Sequence, residues 1–311
     1  MNTSSLLTRR NFLRTAALAT LAPAGCASLQ GGHHGFIDAH VHVWTPDTTR
    51  YPLAEGFTRE KDMKPASFTP AELFAHSHPQ GVNRVVLIQM SFYKFDNSYM
   101  LDCIARHRCV FRGVAVVDET KSDVRNTMKS LAARGVRGFR LYTDREKAEA
   151  WQHSDRMKKM WAYAADAGLS MCLLANPDAL PAVQRMCRAF PKTRVVIDHF
   201  ARIGMKGAVN RHDLDNLCRL AEFPHTHVKT SAFYALGKKK APYTDLAPMI
   251  RRLRDTFGAS RLIWASDCPF QVQEGHTYAN SIALIRDRLA FLTAEDRQWM
   301  LRDTAEKVFF S

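Results

Sequence analysis

Short runs made almost wholly of Val, Ile, Leu and Ala recur along the chain, separated by longer segments whose apolar residues return every three to four positions. The first kind marks strands buried on both faces, as in a parallel sheet; the second marks helices with one apolar stripe. On this pattern strands are predicted at 35–43, 84–90, 110–117, 136–142, 169–174, 193–199, 227–231 and 262–267. Helices are predicted to open at Pro70 and to cover 98–106, 123–133, 154–167, 179–190, 213–222, 246–257, 278–289 and 293–308. Local signals mark their ends. Pro70 suits a first helical turn, and Thr293 with Asp296 reads as a capping box. Gly135, Gly168 and Gly258 stand just past helix ends, where a left-handed cap needs glycine.

Eight strands, each followed by a helix, predict one (β/α)8 TIM barrel of parallel strands over 35–311, with its active site at the C-terminal strand ends. No glycine-rich loop follows the first strand, which argues against a dinucleotide-binding doubly wound sheet. The connection at 44–69 is long and polar, a type often used as a lid.

The first 34 residues read as a separate segment. Arg9-Arg10-Asn11-Phe12-Leu13-Arg14 precedes an apolar run at 15–24 that is too short to span a bilayer, and the whole resembles a twin-arginine export signal. That resemblance implies a periplasmic protein, folded before export. Ala24-Gly25-Cys26 is similar to a lipoprotein processing site, although Pro23 departs from it. A lipid anchor at Cys26 and soluble release both stay open, and membrane contact is expected only through that anchor.

Composition narrows the partners. The chain has 311 residues, 46% apolar and 24% charged, enough to bury a large core. Cys103, Cys109, Cys172, Cys187, Cys218 and Cys268 form no CxxC pair and read as core residues. The net charge of +14 is dispersed, with Lys238-Lys239-Lys240 the one tight run, and no nucleic-acid module accompanies it. A small anionic substrate fits this charge better than nucleic acid.

Candidate chemistry gathers at predicted strand ends. His40 and His42 are two apart in Phe36-Ile37-Asp38-Ala39-His40-Val41-His42-Val43-Trp44 and so share one strand face, at the mouth of a barrel. Paired imidazoles there can bind a divalent metal or polarise a carbonyl. Asp267 ends the eighth predicted strand, with Pro269 turning the chain outward. Together with Val195-Val196-Ile197-Asp198-His199-Phe200 and Trp264-Ala265-Ser266-Asp267-Cys268-Pro269, the first-strand motif resembles the amidohydrolase superfamily, in its amidohydrolase-related branch. Within that branch the chain is most similar to the lactonase group, which includes 2-pyrone-4,6-dicarboxylate lactonase, sulfomuconolactone hydrolase and sugar-acid lactonases.

The resemblance implies that Asp267 activates the hydrolytic water as general base. It also implies that His199 lies in the active site, and that His40, His42 and Asp267 hold zinc if a metal is used. Asp198 is expected to point away from the mouth in a scaffold role. Many metal-dependent relatives carry a histidine at the end of the fifth strand; here Ser170-Met171-Cys172-Leu173-Leu174-Ala175-Asn176 has none. The lactonase group has members with and without a metal, so that question stays open. Arg140, Arg202 and Lys229 are expected to bind substrate carboxylates, with Gln89 and Asn97 as further substrate contacts, Asn97 alternatively as a helix cap. Ser91 lacks a nucleophile elbow. The expected reaction is hydrolysis of a carboxylated lactone. Two rivals are a zinc-dependent nonoxidative decarboxylase of an aromatic or unsaturated acid, and a non-catalytic periplasmic binding protein on the same barrel.

Overall fold

The computed structural model describes residues 35–311; the export-signal reading and Cys26 lie outside the described residues. Eight strands form one sheet in sequence order, every neighbouring pair parallel. They are β1 (Phe36–Val41), β2 (Val82–Ile88), β3 (Phe111–Ala115), β4 (Val136–Thr143), β5 (Ser170–Ala175), β6 (Arg194–Ile197), β7 (Thr226–Thr230) and β8 (Leu262–Trp264). The ring closes just past β8. There the Asp267 N–H donates to the His40 carbonyl at 2.9 Å and the His42 N–H to the Cys268 carbonyl at 2.8 Å. With helices between successive strands, this is a (β/α)8 barrel.

Two apolar layers explain why the strand sequences are apolar on both faces. Ile37, Val86, Val114, Val196 and Ile263 pack inside the ring, where Val308 and Phe309 from the end of the chain join them. Val85, Leu87, Phe111, Phe139 and Leu173 face the helical layer. Each such side chain contributes about 1.5–3 kcal/mol by leaving water, so the barrel is fixed by many small terms. The helix-start signals are realised at Thr69 and Thr293, whose side chains cap Glu72 and Asp296 while those carboxylates return the bond.

Several local expectations change. β6 and β8 are shorter than the apolar runs suggest, because the chain turns left-handed at His199 and Asp267. A helix at Arg145–Trp151 has only Ala148 and Trp151 buried, too thin a stripe to register as a periodic pattern. The 44–69 connection is no free flap. Trp44 and Phe68 exchange backbone hydrogen bonds at 2.9 and 3.0 Å, and Tyr51, Met63 and Phe68 are buried. Five of the six cysteines are buried as expected, but Cys109 is exposed.

Candidate active site

A slip in the β1 register between Asp38 and Val41 sets up the site. In an unbroken strand Asp38, His40 and His42 would share a face. Instead Asp38 turns to the seam. Its Oδ1 accepts from the Ser266 N–H at 2.9 Å and the His40 N–H at 3.2 Å, and its Oδ2 accepts from the Tyr278 hydroxyl at 2.8 Å. His40 and His42 together face the ring interior, with their Nε2 atoms 3.3 Å apart. His42 Nδ1 lies 2.9 Å from the Ile88 carbonyl, an acceptor, so that nitrogen carries the proton and Nε2 presents a lone pair.

His199 and Asp267 arrive from turns rather than strands. His199, Phe200 and Ala201 adopt φ of 51°, 52° and 53°, and Asp267 adopts φ of 66°. Left-handed backbone costs a non-glycine residue about 1–2 kcal/mol, and here the full burial of Phe200 and Ala201 holds the turn in place. Asp267 Oδ1 is thereby brought to 3.5 Å from Nε2 of both His40 and His42 and 3.8 Å from His199 Nε2. Its Oδ2 accepts a hydrogen bond from the Tyr234 hydroxyl at 2.8 Å. His199 Nδ1 meets the Ser231 hydroxyl at 2.8 Å.

The electrostatics separate the groups. Burial alone would raise Asp267, but the surrounding imidazoles, His199 foremost, hold its carboxyl well below the usual range. Burial pushes His199 below the ordinary histidine value, and burial together with the Lys229 charge does the same to His40. Asp267 is therefore ionised at neutral pH, while His40 and His199 are held toward the neutral form.

A cavity of about 450 Å³ opens over this cluster, lined among others by His42, His199, Tyr234, Asp267, Arg140 and Arg202. Arg140 and Arg202 thus both line this cavity. Three other sequence-based assignments do not reach the cavity. Lys229 is wholly buried below His40, because its position on β7 points it into the barrel. Asn97 is engaged with backbone, donating to the Phe95 and Val116 carbonyls and accepting from the Val116 N–H; it stands at the N-cap of the helix Ser98–Arg106, but its side chain makes no capping bond. Gln89 is buried and donates to the Asp96 carbonyl. Asp198 lies beneath the cluster and does not line the cavity. It faces inward, with Oδ1 3.0 Å from Lys229 Nζ and Oδ2 3.7 Å from Arg140 Nε. It continues the inward face of Val196, two residues earlier on β6, whereas His199 is the residue that the left-handed turn redirects. Tyr234 carries no sequence motif. Its position follows from the left-handed turn at Ala232, which swings the loop after β7 over Asp267.

The donor set fits a divalent cation such as zinc. A tetrahedral site with bonds of about 2.0–2.1 Å has ligand-to-ligand edges of roughly 3.3–3.4 Å. The triangle of His40 Nε2, His42 Nε2 and Asp267 Oδ1 has edges of 3.3, 3.5 and 3.5 Å. The cavity above it leaves room for a water or substrate atom as a further ligand.

Comparison with known proteins gives the same lineage. The amidohydrolase family model matches residues 37–310. The chain is 29% identical over 246 residues to L-fucono-1,5-lactonase of Burkholderia ambifaria, covering 77% of this chain and 82% of that protein. It is 25% identical over 235 residues to 4-sulfomuconolactone hydrolase of Rhizobium radiobacter, covering 76% of each. A solved amidohydrolase from Burkholderia multivorans with bound zinc superposes with a TM-score of 0.72 at 19% identity, over 89% of this chain and 99% of that one. Because the family match runs from β1, which bears His40 and His42, through Asp267 to the last helix, this chain belongs to the amidohydrolase family and is one of its hydrolases.

Proposed function

We propose that this enzyme hydrolyses a lactone bearing at least one carboxylate, with Asp267 as general base. One observation carries the reading: the depressed carboxyl of Asp267 opens on the same cavity as Arg140 and Arg202. Asp267 Oδ1 takes a proton from water as the oxygen attacks the lactone carbonyl. The ring C–O bond then breaks, and the departing oxygen takes the proton back from Asp267. His199, receiving the Ser231 hydroxyl hydrogen on Nδ1, presents Nε2–H to the developing oxyanion. Arg140 and Arg202 hold the substrate carboxylate by charge-assisted hydrogen bonds. A cation on His40, His42 and Asp267 would, when bound, polarise the carbonyl and acidify the water. The names of the two lactone-acting relatives support the substrate class, and the twin-arginine resemblance supports a periplasmic reaction.

The test is a panel of neutral and carboxylated lactones followed by a pH indicator, with and without chelator. The expected result is turnover of a carboxylated lactone, and a loss of about 10²–10⁴-fold in Asp267→Asn with the fold intact. Release of CO2 from a carboxylated aromatic with no lactone opened would replace this reading with the decarboxylase. Near-wild-type turnover by Asp267→Asn would remove Asp267 from the role of base.

A further inference from the structure

Below the mouth lies a set of charges that this hydrolysis does not use. Lys229 and Asp198 are both wholly buried. Lys229 Nζ stands 3.1 Å from His40 Nδ1 and 3.0 Å from Asp198 Oδ1, and lies over the Phe309 ring at 5.6 Å from its centre. Asp198 Oδ1 is also 3.5 Å from the same His40 nitrogen. One imidazole nitrogen therefore faces an ammonium that only donates and a carboxylate that only accepts.

The two neighbours demand opposite states of His40. Accepting from Lys229 requires a bare Nδ1, which puts the ring proton on Nε2 and leaves no lone pair there for a cation. Donating to Asp198 requires the proton on Nδ1 and frees Nε2. His42 has no such choice, since Ile88 offers its Nδ1 only an acceptor.

We propose that Lys229 and Asp198 select the tautomer of His40 and so set how tightly the site holds a divalent cation. Without metal, Lys229 donates to Nδ1 and His40 presents Nε2–H to the cavity floor. When a cation binds, the proton moves from Nε2 to Nδ1, His40 donates to Asp198, and Lys229 turns wholly onto that carboxylate. The three groups keep the same total charge throughout. Lys229 opposes the metal and Asp198 supports it, as positioning residues acting through His40. This selection is independent of which bond the enzyme hydrolyses, because both readouts below omit substrate.

Long-range ¹H–¹⁵N spectra of the metal-free wild-type protein, labelled at histidine, report which nitrogen of His40 carries the proton. The expected result is a bare Nδ1 and a protonated Nε2. Zinc affinity, measured by competition with a chromophoric chelator, should rise at least tenfold in Lys229→Met, where Asp198 becomes the one partner of Nδ1. In Asp198→Asn it should fall by about 10–100-fold, the usual effect of losing a carboxylate behind a ligating histidine. A protonated Nδ1 in the metal-free protein overturns the proposal. So does a Lys229→Met variant, folded by near-ultraviolet circular dichroism, that binds zinc no tighter than wild type. If neither variant folds, the wild-type spectra decide alone.

Discussion

Tyr234→Phe removes one oxygen and leaves the ring in place, so it isolates the hydrogen bond to Asp267. That bond, 2.8 Å from hydroxyl to Oδ2, ends on an ionised carboxylate. Burial and the Asp267 charge hold Tyr234 far above the usual tyrosine range, so it stays a donor at every working pH. A hydrogen bond to a charged group is worth about 1.5–3 kcal/mol, and water entering from the cavity replaces part of it. Asp267 is 5% exposed, which limits that replacement. The expected net loss is about 1–2 kcal/mol in the transition state, or roughly 5- to 30-fold in kcat/KM. The loss should fall on kcat, with KM little changed. Steady-state kinetics, with unfolding curves to confirm stability, measure both. A loss below twofold refutes the positioning role. A loss beyond about 10³-fold assigns Tyr234 a proton transfer of its own.

Arg140→Met keeps the side-chain length and removes the charge; KM for a carboxylated lactone should rise about 10- to 100-fold while a neutral lactone changes little, and equal effects on both would place Arg140 outside substrate binding. His227 on β7 is lowered to about 4 by burial and then by Arg194. The unfolded chain takes up that proton below the ordinary value of 6.5, whereas the fold resists until about 4, so stability falls as pH drops through this window. The span of roughly 2.5 units, discounted for partial exposure, gives about 1–2 kcal/mol, and urea unfolding of His227→Gln should be flatter between pH 7 and 4 by that amount. Gly237 has φ of +60° and donates its N–H to the Gly204 carbonyl, tying the loop after β7 to the loop after β6. A Cβ there would meet Asp245 Oδ2 at 2.3 Å, so Gly237→Ala should lose about 1–3 kcal/mol in urea unfolding, and an unchanged midpoint would show that the brace is dispensable.

The barrel was legible because double-faced burial gives each strand a dense apolar run, and eight such runs alternating with helical stripes leave few other architectures. His40 and His42 were legible for a similar reason, since a spacing of two on a strand fixes a shared face. Strand periodicity stops being informative where strands stop. His199 faces inward because β6 ends at Ile197 and the chain turns left-handed there, and Tyr234 reaches Asp267 through a left-handed turn that no apolar pattern marks. Lys229 shows a related difficulty. A lysine at a predicted strand end reads as a substrate contact unless the buried carboxylate that pairs with it, here Asp198, is known.

The seam of the ring has a consequence for when the protein becomes an enzyme. Ser266 and Asp38, joined there by a hydrogen bond, stand 228 positions apart in the chain. During synthesis or refolding, the histidines of β1 therefore sit on the open edge of a growing sheet until the segment after Trp264 arrives with Asp267. Secondary structure should recover before turnover does, with the lag reporting the docking of that last segment. An assembly halted seven strands along would have the imidazoles of β1 without Asp267, so the cluster is incomplete until the circle is whole.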